Sequence, residues 1–394
     1  MPVSAYSSNT NRLYIFNFLI SIHFVSGVLV PFFTIWGNIT YVQIMFLQSF
    51  FVISIFMMEV PTGAVADKLG RKTSIILAAI LFAVAALVYS SIPNFYVFML
   101  GEFLWAVGSA LLSGADEALL YDGLKADGKE CESKRIFGRM TSAALLALMI
   151  SAPIGSYIAA SIGLRYSMMF LFMPCLLAAA VAMGLKEPEY RRAEDEQSYL
   201  DTIRNGFSYF RGHKILRILA LDAILTGNFA FMIIWLYQPF LGELGVPILY
   251  FGFVHSGLTL AEIFFLNNFV RFERIIGSKR GYLALSALLP GVCYLVMSIS
   301  DYFPLVLVMV LLISGLGISR GTLYQSYLNK HIESSNRATI LSTISMLRQL
   351  LRAITYPIFG LFMEWSIRNT LAIVGIGLII VTLLSRVREE YLIE

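Results

Sequence analysis

Gly63-Ala-Val-Ala-Asp-Lys-Leu-Gly-Arg-Lys72 is a polar knot between two apolar stretches of membrane length, and its reading decides the fold. It carries four charges and two glycines in a chain that is 58% hydrophobic and only 14% charged. Gly63 suits a close helix approach near the end of one apolar segment. Gly70 suits a sharp turn before the next. Asp67 stands where an anion stabilises the positive end of a neighbouring helix. Arg71 offers a planar fork for a carboxylate, a role that lysine fills less well. Asp122, at the end of an apolar segment on the same side, is its expected partner.

Outward from this loop the chain is built of spans. Mean hydropathy is +0.75, outside the range of soluble globular domains. A spanning helix needs about 20 mostly apolar residues. Twelve stretches qualify: 12–36, 41–66, 73–92, 95–122, 138–161, 164–185, 214–240, 248–270, 281–300, 304–329, 337–361 and 368–386. The polar start Ser4–Arg12 carries no small-residue cleavage site, so the first span is expected to be retained.

Lys and Arg set the orientation. The even-to-odd connections hold Lys68, Arg71 and Lys72; Lys125, Lys129 and Lys134; Arg191, Arg204 and Arg211; Arg274, Lys279 and Arg280. The opposite connections hold only Arg165 and Arg368. Both termini are therefore expected in the cytoplasm, in an inner (plasma) membrane protein. The net charge of +4 is explained by topology and calls for no acidic or nucleic-acid partner. Cys131, Cys175 and Cys293 form no disulfide framework. No metal-spaced His/Cys cluster, phosphate loop or nucleophile elbow occurs, so no enzyme, metal, cofactor or ATP-driven motor is expected.

Six spans lie on each side of the longest connection. The expected organisation is an N-terminal six-helix bundle over 1–185, a cytoplasmic linker over 186–213 and a C-terminal bundle over 214–394. In the linker, Leu200, Ile203, Phe207 and Phe210 share one helical face, the pattern of an interfacial helix lying on the inner leaflet. The halves repeat weakly. Arg271–Arg280 copies the loop's turn glycine and basic end but loses its aspartate. At the same offset Ser113-Gly114 falls on Arg320-Gly321, and Asp122 falls on Asn329. Ala152-Pro153-Ile154-Gly155 matches Tyr356-Pro357-Ile358-Phe359-Gly360 after a small shift.

The loop pattern, twelve spans, inside termini and the 6+6 division together resemble the major facilitator superfamily of prokaryotic type. The resemblance implies an all-α membrane protein with 12 transmembrane helices in two pseudo-symmetric six-helix bundles. It also implies transport by alternating access. In that family the loop's aspartate meets the start of helix 11, and its arginine pairs with an acid ending helix 4. Carried over, Asp67, Gly70, Arg71 and Asp122, with Glu59 and Gly63, form a conformational latch. Helices 1, 4, 7 and 10 then line the central cavity.

An ionisable group at bilayer depth costs at least about 2.5–3.5 kcal/mol and is a functional candidate by default. The candidates for solute or proton binding are His23, Asp116, Glu117, Asp222, Glu262, Arg320, Arg348 and Arg352. Glu262 is also placed to pair with Arg348 or Arg352 in a purely structural role. Together with aromatics such as Trp105, Phe231 and Trp235, the acids favour a monomeric, proton-coupled exporter of small amphipathic compounds. The alternatives are an organic-anion or metabolite carrier using Arg320, Arg348 and Arg352, and a non-transporting membrane receptor. Against drug–proton antiport, Ala152-Pro153-Ile154-Gly155-Ser156 departs from the Gly-Pro-x-x-Gly-Gly pattern of the fifth span of such exporters.

Overall fold

A computed structural model describes residues 7–187, 199–333 and 336–393. Helix is the only regular secondary structure among them, and nine helices are long and apolar enough to cross a membrane. Of the other three spans the first is divided, the twelfth is the 17-residue helix Ile367–Leu383, and the eleventh, Arg337–Trp365, is a continuous helix of 29 residues with Arg348 and Arg352 in its middle. Contacts separate the chain into two compact units, 1–195 with 247–256 and 196–246 with 257–394. The start of the eighth span, Pro247–Ser256, thus groups with the first unit.

In the first unit the expected continuous first span is broken into Ser7–Ile20 and Ser26–Trp36. The fifth span, Glu130–Ser161, lies against this break. A Cβ at Gly155 would overlap the Phe24 carbonyl, so only glycine lets that helix abut the unwound backbone. The break frees main-chain groups, and the His23 N–H donates to Ser151 Oγ at 2.9 Å. Pro153 leaves the Met149 carbonyl without its usual helical donor. The Ser256 hydroxyl supplies one at 2.6 Å.

The fourth span also departs from a continuous helix. Phe95–Leu112 ends at Ser113, Gly114 turns with φ +73°, and Ala115–Ala126 continues. Asp116 and Glu117 fall in the first turn of the new segment, where acidic side chains oppose the positive helix end. In the second unit the seventh span, Lys214–Glu243, is interrupted at Met232. The tenth, Phe303–Lys330, passes through a π-helical turn at Ile313–Ile318. Gly315 and Gly317 in that turn pack against Phe265 and Ala230.

Both units cap their third helix in the same way. Glu187, just after the sixth span, accepts from the main-chain N–H groups of Arg71 (2.6 Å) and Lys72 (3.3 Å). Glu389, just after the twelfth, accepts from those of Lys279 (2.8 Å) and Arg280 (2.9 Å) and from the Ser278 hydroxyl (2.7 Å). Each cap follows a glycine of positive φ, +91° at Gly70 and +77° at Gly277. A carboxylate at a helix start satisfies orphan donors and complements the dipole.

The linker forms a helix over Tyr199–Gly212. Phe210 is buried in the core of the second unit and Gly206 packs against Thr343, while Phe207 is exposed. This face therefore docks on the eleventh span, Arg337–Trp365, within that unit. The side chains of Leu200 and Ile203, and the charged run at 188–198, lie outside the described residues. The two arginines of the odd-to-even connections are held: Arg165 donates to the Ser90 carbonyl at 2.6 Å, and Arg368 pairs with Asp301 and with Glu243 at 3.7 Å.

Candidate functional site

The signature loop forms the corner between the second span, Tyr41–Leu69, and the third, Arg71–Tyr89. Arg71 donates from Nη1 to Asp122 Oδ2, with both side chains partly exposed. Gly70 is fixed by its conformation and by its neighbour, because a Cβ there would come within 2.5 Å of Glu187. Asp67 is exposed and makes no ion pair among the described residues, and Glu59 is half-buried near the end of the same helix. Gly63 differs from expectation: a Cβ there would meet nothing within 4 Å among the described residues. The helix end around it is exposed at Val60 and Leu69, so no helix of its own unit demands a glycine there.

The first unit holds a polar cluster inside its spans. His23 lies at the break in the first span and meets the Trp105 ring edge-on, 5.6 Å between centroids. His255, from the start of the eighth span, is buried and belongs to the same unit as His23. Glu102 is 5% exposed and accepts from Gln48 Nε2 at 2.8 Å. Asp116 is half-buried in the first turn of its helix segment, whereas Glu117 is exposed.

In the second unit Arg320 is the hub. It lies 3.5 Å from Asp222 Oδ2 and donates to the Leu283 carbonyl and to Ser286 Oγ, the latter at 2.6 Å. Tyr324 also donates to Asp222, and both members of the ion pair are buried. Burying such a pair is costly unless its remaining donors find partners, and here Arg320 Nε alone of the guanidinium nitrogens has none among the described residues. Arg348 and Arg352 stand one turn apart on the eleventh span and face a cavity of about 420 Å³. Thr322, Gln325 and Ser345 add polar groups to its wall, and no carboxylate lines it among the described residues. The Arg352 guanidinium sits 4.1 Å over the Phe231 ring. Glu262 is half-buried and pairs with neither arginine, which corrects the structural pairing considered from sequence.

Sequence reasoning misses two residues, His255 and Glu187, and reads a third, Glu102, only as an ionisable group in the outer part of the fourth span. His255 gave no local signal, because it lies in the eighth span and joins the first unit only through the fold. Glu187 acts across 116 positions in sequence, beyond the reach of any local motif.

Comparisons with known proteins follow the same lines. The sequence matches the profile of the Major Facilitator Superfamily over residues 13–356. An uncharacterized MFS-type transporter of Bacillus subtilis (strain 168), YxaM, is 22% identical over 331 residues, covering 82% of this chain and 80% of that protein. The crystal structure of the nucleoside transporter NupG superposes with a TM-score of 0.78 at 14% identity, over 95% of this chain and 97% of that one. The D-xylose-proton symporter gives 0.75 at 14% identity, over 98% and 99%. A bacterial homologue of the human lysosomal transporter Spinster, inward-facing and unoccupied, gives 0.71 at 13%, over 99% and 97%. These three likenesses concern the fold. With the family match spanning most of the chain, the signature loop and its duplicated cap have one reading: this multi-pass membrane protein belongs to the Major Facilitator Superfamily of transporters.

Proposed function

We propose that this chain is a secondary transporter of a small organic solute bearing an anionic group, bound in the second unit by Arg348 and Arg352. The observation that carries the reading is the cavity of about 420 Å³ in which these arginines stand together without a carboxylate. That size suits a small solute. A guanidinium resting on a ring stays available for a carboxylate or phosphate. Arg320 drops out of the anion site, since Asp222 and Ser286 already engage it. The same pairing weakens the case for a cationic amphipathic cargo, because Asp222 is the acid that such a cargo would need.

The rest of the mechanism belongs to the same proposal. Asp67, Arg71 and Asp122 act as the inner latch of alternating access, with both termini cytoplasmic and the protein monomeric in the inner membrane. A D-xylose-proton symporter shares the fold, which supports proton coupling here. Glu102, with His23 and His255 in the same unit, is the group placed to take up the proton.

A thermal-shift and proteoliposome binding screen of anionic, cationic and zwitterionic solutes tests the reading. Anions should stabilise the protein, and Arg352→Gln should weaken that binding at least about tenfold, the scale of one charge-assisted contact. Stabilisation by cations alone, unaltered in the Arg352→Gln variant, would overturn it.

A further inference from the structure

A second cavity of the second unit, about 870 Å³, opens between the start of the seventh span, the end of the twelfth and the C-terminal tail. Five cations line it: Lys214, Arg217, Arg280, Arg386 and Arg388. Against them stands one carboxylate, Asp222, already engaged by Arg320 and Tyr324. Arg388 leans on Glu390 at 3.3 Å. The other four cations have no carboxylate within 4 Å among the described residues. Leu221, Leu225, Val381 and Leu384 make the rest of its lining largely aliphatic.

Orientation rules account for cations in inner-side loops, but not for their convergence on one cavity. The elements that bring them together are far apart in sequence. Glu389 fixes the tail by capping the ninth span, Lys279–Ile299, and so holds Arg386 and Arg388 beside Arg280. Val387 turns inward and is buried in the unit's core, leaving its two arginine neighbours exposed. Unpartnered cations together with an aliphatic lining complement a phosphate ester that carries an acyl chain. A free polar anion would use the cations and waste the aliphatic lining.

We infer that this cavity is a binding site for the head group of an anionic phospholipid of the inner leaflet, with the first part of an acyl chain against Leu221, Leu225 and Val381. The site is separate from the Arg348 and Arg352 cavity. It stands whether or not that cavity binds anions, and it rests on the orientation proposed above.

The test uses the full chain in detergent, with phosphatidylglycerol, phosphatidylcholine and inorganic phosphate as probes and native mass spectrometry as readout. Phosphatidylglycerol should be retained at least about tenfold better than phosphatidylcholine. The Arg217→Gln/Arg386→Gln double variant should bind it about thirtyfold more weakly, or about 2 kcal/mol for two interfacial charges at 1.4 kcal/mol per decade. The matching double lysine variant, which keeps the charge, should remain within about threefold of the wild type. Equal retention of phosphatidylcholine overturns the site, as does undiminished phosphatidylglycerol binding by the double glutamine variant. Displacement of the lipid by inorganic phosphate at equal concentration would make the ligand a free phosphate and overturn the lipid assignment.

Discussion

Glycines in this chain differ sharply in what they tolerate. Gly70 holds φ +91° and has a carboxylate against the place where a Cβ would stand, and Gly155 abuts the Phe24 carbonyl. Gly63, in the same signature loop as Gly70, faces open space. Gly70→Ala should cost about 1–2 kcal/mol from the backbone conformation alone, and it should also push Glu187 off the helix start. Gly155→Ala requires helix separation and should lower the melting temperature more. Gly63→Ala should leave the melting curve of the purified protein unchanged or slightly improved, since alanine suits a helix better. A thermal melt of the three variants side by side checks the order, and equal losses would contradict it. Gly70 was legible in sequence because a turn between two apolar runs needs a residue free in φ. The openness around Gly63 was not legible, because it depends on which helix faces it.

Helix breaks set the chemistry at the next scale. The first, fourth, seventh and tenth spans are all interrupted, as is the sixth near Phe170. Apolar composition located every span, but it concealed the breaks, since a membrane helix is apolar on all sides and carries no periodic face. Pairs of small residues such as Ser113-Gly114 were the only local trace. The helix caps are testable through pH. Burial pushes the Glu389 carboxyl up, but the Ser278 hydroxyl, the Arg280 and Lys279 N–H groups and the Lys279 charge together hold it below its ordinary value of 4.5. A carboxyl lowered in the folded state adds stability that is present above 4.5 and is lost as pH falls through the lowered value. Glu389→Gln should therefore cost about 0.3–1 kcal/mol at neutral pH. The difference from wild type should shrink below pH 4.5. Melting curves at pH 7 and pH 4 give the comparison; a gap that widens in acid would contradict the cap.

Across the whole molecule the two units hold different buried charges. The first places Glu102, His23 and His255 within its spans; the second places Arg320 beside Asp222, Glu273 accepting from Tyr327, and Arg348 and Arg352 facing a cavity. The 6+6 architecture was legible from span count and charge placement. The division of labour was not, because it depends on which ionisable groups find partners: Asp222 and Arg320 lie 98 positions apart, and Glu102 and Gln48 lie 54 apart. If proton and solute are handled by different units, their variants should fail in different assays. Glu102→Gln keeps the hydrogen-bonding shape but cannot exchange a proton. It should abolish uptake driven by a pH gradient in proteoliposomes while leaving solute exchange at equal pH within about threefold of wild type. Arg352→Gln should depress both assays together, because the solute no longer binds. Loss of exchange in Glu102→Gln would place that carboxyl in the solute's path and merge the two roles. Gradient-driven uptake surviving in Glu102→Gln, but lost in His23→Gln, would move the proton site to the break in the first span.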